Sequence, residues 1–201
     1  MKKIILLILT LVFSATSFAQ LANESFEAAT FPPTTPANWA VFDNGVSGAT
    51  NINWSTTTVA ANVNSGLKAA FMNRQQPMAS GLIAEDYLAT PAVNVPNNGQ
   101  LKFFTRTLLS GIQAGTKYLI KVKLTSAGPQ NDPLGYNTIQ TWDDSNFLAN
   151  YQVYEEKTLN LIGGTQVYIA FVLQQTGNGS PVGNRWLVDD VRVVADRKSV
   201  V

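Results

Sequence analysis

The chain has no cysteine and no histidine, and only 13% of its 201 residues are charged. Each shortage excludes something. Without Cys, a domain of this size is held by its core, with or without a metal, and not by disulfides. Without His there is no His-based triad, no His zinc site and no use of the commonest general base. Ser and Thr are abundant, but no Gly-x-Ser-x-Gly elbow accompanies them and no His can activate them. Charge is scarce and balanced. Setting aside Lys2, Lys3, Arg197 and Lys198 leaves ten of fourteen basic residues, and setting aside Asp196 leaves twelve of thirteen acidic ones, a net near −2 for the body. That gives no electrostatic case for nucleic acid or an anionic membrane as partner.

The two ends read as separate from the body. Lys2 and Lys3, the apolar run from Ile4 to Phe13, and Ser17-Phe18-Ala19 before Gln20 have the layout of a secretory signal peptide cut after Ala19. The apolar run is short for a membrane span, and nothing later approaches spanning length. An exported protein, secreted or held at the outer cell surface, is expected. At the other end Asp196-Arg197-Lys198-Ser199-Val200-Val201 breaks from the strand before it and resembles a translated adapter sequence. On that reading 196–201 is a non-native tail and further domains follow Ala195 in the natural protein. The body, 20–195, is long enough for one domain with a sizeable core.

Within the body, helical periodicity is almost absent and short alternating segments recur. Strands are expected near 22–27, 39–42, 52–57, 68–72, 85–95, 100–107, 117–125, 154–161, 166–174 and 185–194. They are punctuated by Phe31-Pro32-Pro33, Asp43-Asn44-Gly45, Asn97-Asn98-Gly99, Gly163-Gly164 and Thr176-Gly177-Asn178-Gly179. About ten short strands at this spacing imply an all-β antiparallel sandwich or barrel. Residues 108–115 and 138–150 are the hardest to assign; the second stretch reads as a helical turn or a loop across one face.

The last strand carries Asp189 and Asp190 side by side. Simple alternation places Asp189 with Leu187, Val191 and Val193, and Asp190 with Val188, Arg192 and Val194. If the first set faces the core, Asp189 needs a cation or several hydrogen bonds, because an unpaired buried carboxylate is very costly. Calcium is a candidate, with a counterpart in Asn23-Glu24-Ser25-Phe26-Glu27. The alternative is a bulge that exposes both, with Arg185 or Arg192 as partner. Glu85-Asp86 and Asp143-Asp144 have the composition of a glycosidase acid/base pair, but turn and strand-end solvation explains them without catalysis. Trp54, Trp142, Tyr136 and Tyr151 lie in or beside polar stretches, where rings can stack on sugars or anchor a protein. Trp54, Trp142 and Tyr136 are the ligand-binding candidates.

Taken together, Glu24-Ser25-Phe26-Glu27, Phe31-Pro32-Pro33, Trp39 to Gly45, Asn53-Trp54, Glu85 to Pro91, Leu101-Lys102-Phe103, Val167 to Phe171 and Trp186 to Val191 resemble, in order, the cleaved-adhesin or choice-of-anchor J modules of Bacteroidetes-type secreted proteins. Tyr87 stands where that family often has Trp. The resemblance implies a single jelly-roll β-sandwich with a structural calcium held by Glu27 and by Asp189 or Asp190, completed by backbone carbonyls. It further implies a non-catalytic adhesion or recognition module for extracellular protein or glycan. The alternative function is a structural accessory domain of a larger secreted peptidase or glycosidase.

Overall fold

The computed structural model describes residues 21–35, 38–48, 52–75, 78–179 and 183–196. The segment expected to be a signal peptide, 1–19, lies outside the described residues, and so do 197–201 of the expected tail 196–201. Eleven strands are named: β1 (Ala40–Asp43), β2 (Ser55–Thr57), β3 (Ala69–Met72), β4 (Ile83–Ala89), β5 (Val93–Asn94), β6 (Gly99–Thr107), β7 (Thr116–Leu124), β8 (Asn137–Trp142), β9 (Glu155–Asn160), β10 (Gln166–Thr176) and β11 (Trp186–Ala195). They form two sheets. One runs β1-β4-β10-β7-β8, with β5 also paired to β10; the other runs β2-β3-β11-β6-β9. Every pairing is antiparallel. Consecutive strands such as β3 and β4, β6 and β7, or β10 and β11 sit in opposite sheets, so the chain shuttles across the sandwich in jelly-roll fashion.

The alternation that suggested strands has its usual cause. β6 is buried at every second residue, with one face on the core and one toward solvent. β10 is buried on both faces through its middle, because the outer face of its sheet is also covered. There Tyr87, Ala89, Leu119, Ala170 and Val172 form a second apolar cluster with Phe42 and Tyr136. The segment after β7 lies over that face: Gln130 Nε2 donates to the carbonyls of Asn38, Ala89 and Thr90, and Lys123 Nζ donates to those of Pro129 and Asp132.

Three segments differ from the sequence reading. Residues 85–95 are two strands, because Pro91 has no N–H to give the ladder; Thr90 bridges the gap by exchanging hydrogen bonds with Ile169 through its N–H and its Oγ1. Residues 22–27 make only an isolated bridge, Glu24 to Val191. The backbone then turns through Phe26 at φ 58° and buries that ring against Phe31 and Trp39. Residues 137–142 form the edge strand β8, paired to β7.

The core between the sheets centres on Trp186. Trp54 and Tyr118 lie 5.3 Å from it, Phe147 5.9 Å and Phe171 6.1 Å, ring centre to ring centre. Its indole N–H donates to Thr105 Oγ1 at 2.7 Å, so the one polar atom of the buried ring is satisfied.

Candidate functional site

β11 and β6 pair in register until Asp189 opposes Phe104, and the register resumes with Arg192 opposite Lys102. Asp190 and Val191 therefore face one residue, Phe103, and form a β-bulge, with Asp190 at φ 50°. Asp is one of the few residues that takes this left-handed conformation at modest cost. The bulge advances the alternation by one position. Trp186 and Val188 before it and Val191 and Val193 after it all reach the core. The expectation that Asp189 shares a face with Val191 and Val193 is thus corrected: both Asp side chains lie on the side away from the core.

Both are nevertheless buried, because the loop 64–68 closes over them. Asn64 and Ser65 each donate a backbone N–H to Asp189 Oδ2, at 3.0 and 3.2 Å, and the Asp190 N–H donates to Asp189 Oδ1 at 2.8 Å. Asp190 is held by side chains: Asn23 Nδ2 and Ser65 Oγ on Oδ1, Asn64 Nδ2 on Oδ2. Glu27 meets the same loop, its Oε1 accepting N–H groups of Leu67 and Lys68 at 2.8 and 2.9 Å, while Lys68 Nζ reaches the Ala28 carbonyl. Gly66 turns this loop at φ 69°, a left-handed backbone that favours glycine. Glu27, Asp189 and Asp190 are therefore gathered on one loop, which joins the first segment of the body to its last strand. The arginines pair with other side chains: Arg192 with Glu156, its Nη1 also donating to the Asp190 carbonyl, and Arg185 Nε with Asn73.

The donor chemistry distinguishes the two aspartates as metal ligands. Asp189 has backbone N–H groups on both oxygens, the wrong polarity for a cation. Asp190 is bonded only by side chains that can turn away, and Glu27 uses one oxygen. Among the described residues no three His, Cys, Asp or Glu side chains converge on a common point.

The other carboxylates are committed to structure. Glu85 accepts from Lys121 Nζ at 2.6 Å, from Tyr87 OH and from Gln174 Nε2. Burial alone would raise its pKa, but these hydrogen bonds outweigh it and hold the group below its ordinary value. Asp86 points to the opposite face, into the core end of the sandwich, where Oδ2 accepts Gln75 Nε2 and Oδ1 has no partner. Glu85 and Asp86 are therefore not a flanking pair. Asp143 closes a turn through Ser145, whereas Asp144 accepts from Tyr118 OH, Asn184 Nδ2 and the Gln113 N–H.

Of the aromatic candidates, Trp54 is corrected. It is 4% exposed, packs on Trp186 and donates its indole N–H to the Asp86 carbonyl. The polar neighbours in sequence point outward while the ring points inward. Trp142 is partly buried against Phe103 and Phe147. Tyr136 is partly buried against Tyr87, its hydroxyl donating to the Gln130 carbonyl.

A feature absent from the sequence reading lies beside Trp142. A cleft of about 370 Å³ opens at the end of the sandwich where β6 finishes, between Leu109–Ile112 and Asp144–Tyr151. Asn184 ties its walls together, accepting the Leu109 N–H, donating to the Leu109 carbonyl and donating to Asp144. A larger hollow of about 610 Å³ lies at the other end, around Val95–Asn97 and Gly164–Gln166.

With this geometry in hand, the molecule falls in the class of two-sheet jelly-roll β-sandwich modules. The Cleaved Adhesin Domain family model matches residues 19–193, and the chain belongs to that family. The K1 Cleaved Adhesin domain of Lys-gingipain from Porphyromonas gingivalis W83 shares the fold with a TM-score of 0.57 and 20% identity, over 89% of this chain and 99% of that one. The K2 domain of Lys-gingipain gives 0.56 and 18%, over 88% and 99%. A structure of TmCBM61 in complex with β-1,4-galactotriose gives 0.51 and 14%, over 86% and 94%. No curated protein matches the chain. No helix among the described residues is long and apolar enough to cross a membrane.

Two buried aspartates set a pH dependence. Burial raises Asp86 to about 7 against the Gln75 hydrogen bond, with the nearby Asp43 and Glu85 charges adding to the rise. Burial likewise raises Asp189 to about 7; the Ser65, Asn64 and Asp190 N–H groups oppose it and the Asp190 charge reinforces it. A carboxyl raised on folding contributes stability that is complete below its unfolded pKa near 3.8 and is lost as pH rises through about 7. Asp86→Asn is therefore expected to stabilise the domain by about 1–4 kcal/mol at pH 8, with the gain vanishing toward pH 4. Urea unfolding of parent and variant across this range measures it, and an equal difference at both pH values would contradict it.

Proposed function

We propose that this is a non-catalytic, exported adhesion or recognition module that binds extracellular protein or glycan, outside the cell or on its outer surface, as one part of a longer chain. The supporting observation is that Asp144, Asp189, Asp190 and Glu85 are each spent on hydrogen bonds that hold loops or sheets, in a member of the cleaved adhesin family. So arranged, these carboxylates hold loops and sheets in position. The polar loop end, with its braced cleft, is the surface offered to a partner. Immobilised matrix proteins and a glycan array, probed with the chain from Gln20 onward, test the reading. Saturable binding to one class is expected; absence of binding to both sinks it.

Calcium belongs to the same proposal. Glu27 and Asp190 are the carboxylates able to turn toward an ion beside the loop 64–68, with loop carbonyls completing an oxygen shell. An ion there would add its binding free energy to folding. Thermal unfolding with millimolar calcium should then show a higher midpoint than with chelator. The difference should disappear in Glu27→Ala and in Asp190→Ala; identical melting of the parent with and without calcium rejects the ion.

A further inference from the structure

We propose that the cleft between Leu109–Ile112 and Asp144–Tyr151 is a binding site for a neutral saccharide unit; this rests on the recognition reading and names its site and ligand class. Its volume, about 370 Å³, falls in the range of small-molecule sites. The lining has two characters. Leu109, Ile112, Phe147 and Leu148 supply apolar surface, while Asn150 and Tyr151 supply amide and hydroxyl groups at the rim. Ile112 is 70% exposed, an aliphatic side chain held out at the mouth. A sugar ring matches such a surface, because its C–H face covers apolar groups while its hydroxyls exchange hydrogen bonds with amides.

Charge narrows the ligand class. Among the described residues the cleft is lined by no Lys or Arg, and its one carboxylate, Asp144, accepts from Tyr118 and Asn184 on Oδ1 and from Gln113 on Oδ2. An anionic sugar would meet that carboxylate, and the cation beside the lining, Lys157 over the Phe147 ring, is already paired with Glu155. A cationic ligand would have to compete with these three donors for Asp144. An uncharged ligand has neither difficulty.

The walls are fixed in advance. Asn184 is 1% exposed and bonds Leu109 through both its amide nitrogen and its oxygen, so the wall 109–112 cannot drift from β11. Asp144 ties Gln113 of that wall to the turn 143–147. Beneath them Phe147 stacks on Tyr118, ring centres 4.2 Å apart at 15°, and leans on Trp142. A braced cleft loses little conformational freedom on binding, which favours a weakly interacting ligand such as a sugar.

Amide chemical shifts of the chain from Gln20 onward, titrated with cellotetraose, xylotetraose, mannotetraose and β-1,4-galactotetraose, with tetragalacturonate as the anionic counterpart, test the proposal. Binding of at least one neutral sugar is expected, with shifts confined to 109–112 and 147–151. Ile112→Ala and Tyr151→Ala should each weaken it roughly tenfold, with fold and melting unchanged, while Leu134→Ala, on an exposed loop elsewhere, should not. Neutral sugar binding mapped to another surface overturns the cleft but leaves the recognition reading intact. No binding of any neutral sugar, or tighter binding of tetragalacturonate, overturns the saccharide assignment; the recognition reading then rests on the matrix-protein assay alone.

Discussion

The structure depends on closing a chain whose neighbours in sequence are seldom neighbours in space. Strands alternate between the sheets, so most contacts are long-range and must be won against loop-closure entropy. No disulfide is available to help. The first segment is joined to the last strand by the backbone bridge of Glu24 with Val191, by the Val193 N–H on the Leu21 carbonyl and by Asn23 on Asp190, and the loop before β3 is tied in by Asn64 and Ser65 to Asp189 and Asp190. Through them the first segment of the body, the loop before β3 and the last strand become one unit. The bulge at Asp190 makes this possible, because it turns both carboxylates out of the apolar interior while leaving Trp186, Val188, Val191 and Val193 in it.

The same economy governs the rest of the polar interior. Lys121 and Glu85 are both largely buried, yet Glu85 is matched by three donors, so the pair is satisfied and not merely attracted. Asp86 is the exception, one oxygen unpartnered and no cation among its hydrogen-bond partners. That contrast explains why one carboxylate of an adjacent pair is lowered in pKa and the other raised. Polar residues at the loop end, Asn184 and Asp144 above all, do for the cleft what Asp189 and Asp190 do for the chain ends.

Much of the fold was legible in the sequence because alternation and Gly, Pro and Asn punctuation report one-sided burial directly. β6, β7, β10 and β11 fall within a residue or two of expectation. β8 was hidden because Asn137-Thr138-Ile139-Gln140-Thr141-Trp142 is an edge strand whose side chains are mostly exposed, leaving no apolar period to read. The site was less legible. The sequence admits a bulge at Asp189-Asp190 but does not require one, and without it Leu187 and Asp189 are placed on the face of Val191 and Val193. Trp54 misled because its flanking Asn53, Ser55 and Thr56 describe the outer surface while the ring fills the core. The cleft is built by Asn184 and Asp144, forty residues apart in sequence, and no local pattern joins them.

The claim that Asp189 clamps the loop 64–65 to the last strand is tested most directly by amide hydrogen exchange at Asn64 and Ser65, in the parent and in Asp189→Ala, which removes the acceptor. The account predicts protected amides in the parent and exchange at least tenfold faster at both sites in the variant, with β10 amides unchanged. Equal protection in the two proteins would show that the loop is held by something else, and the clamp would have to be abandoned.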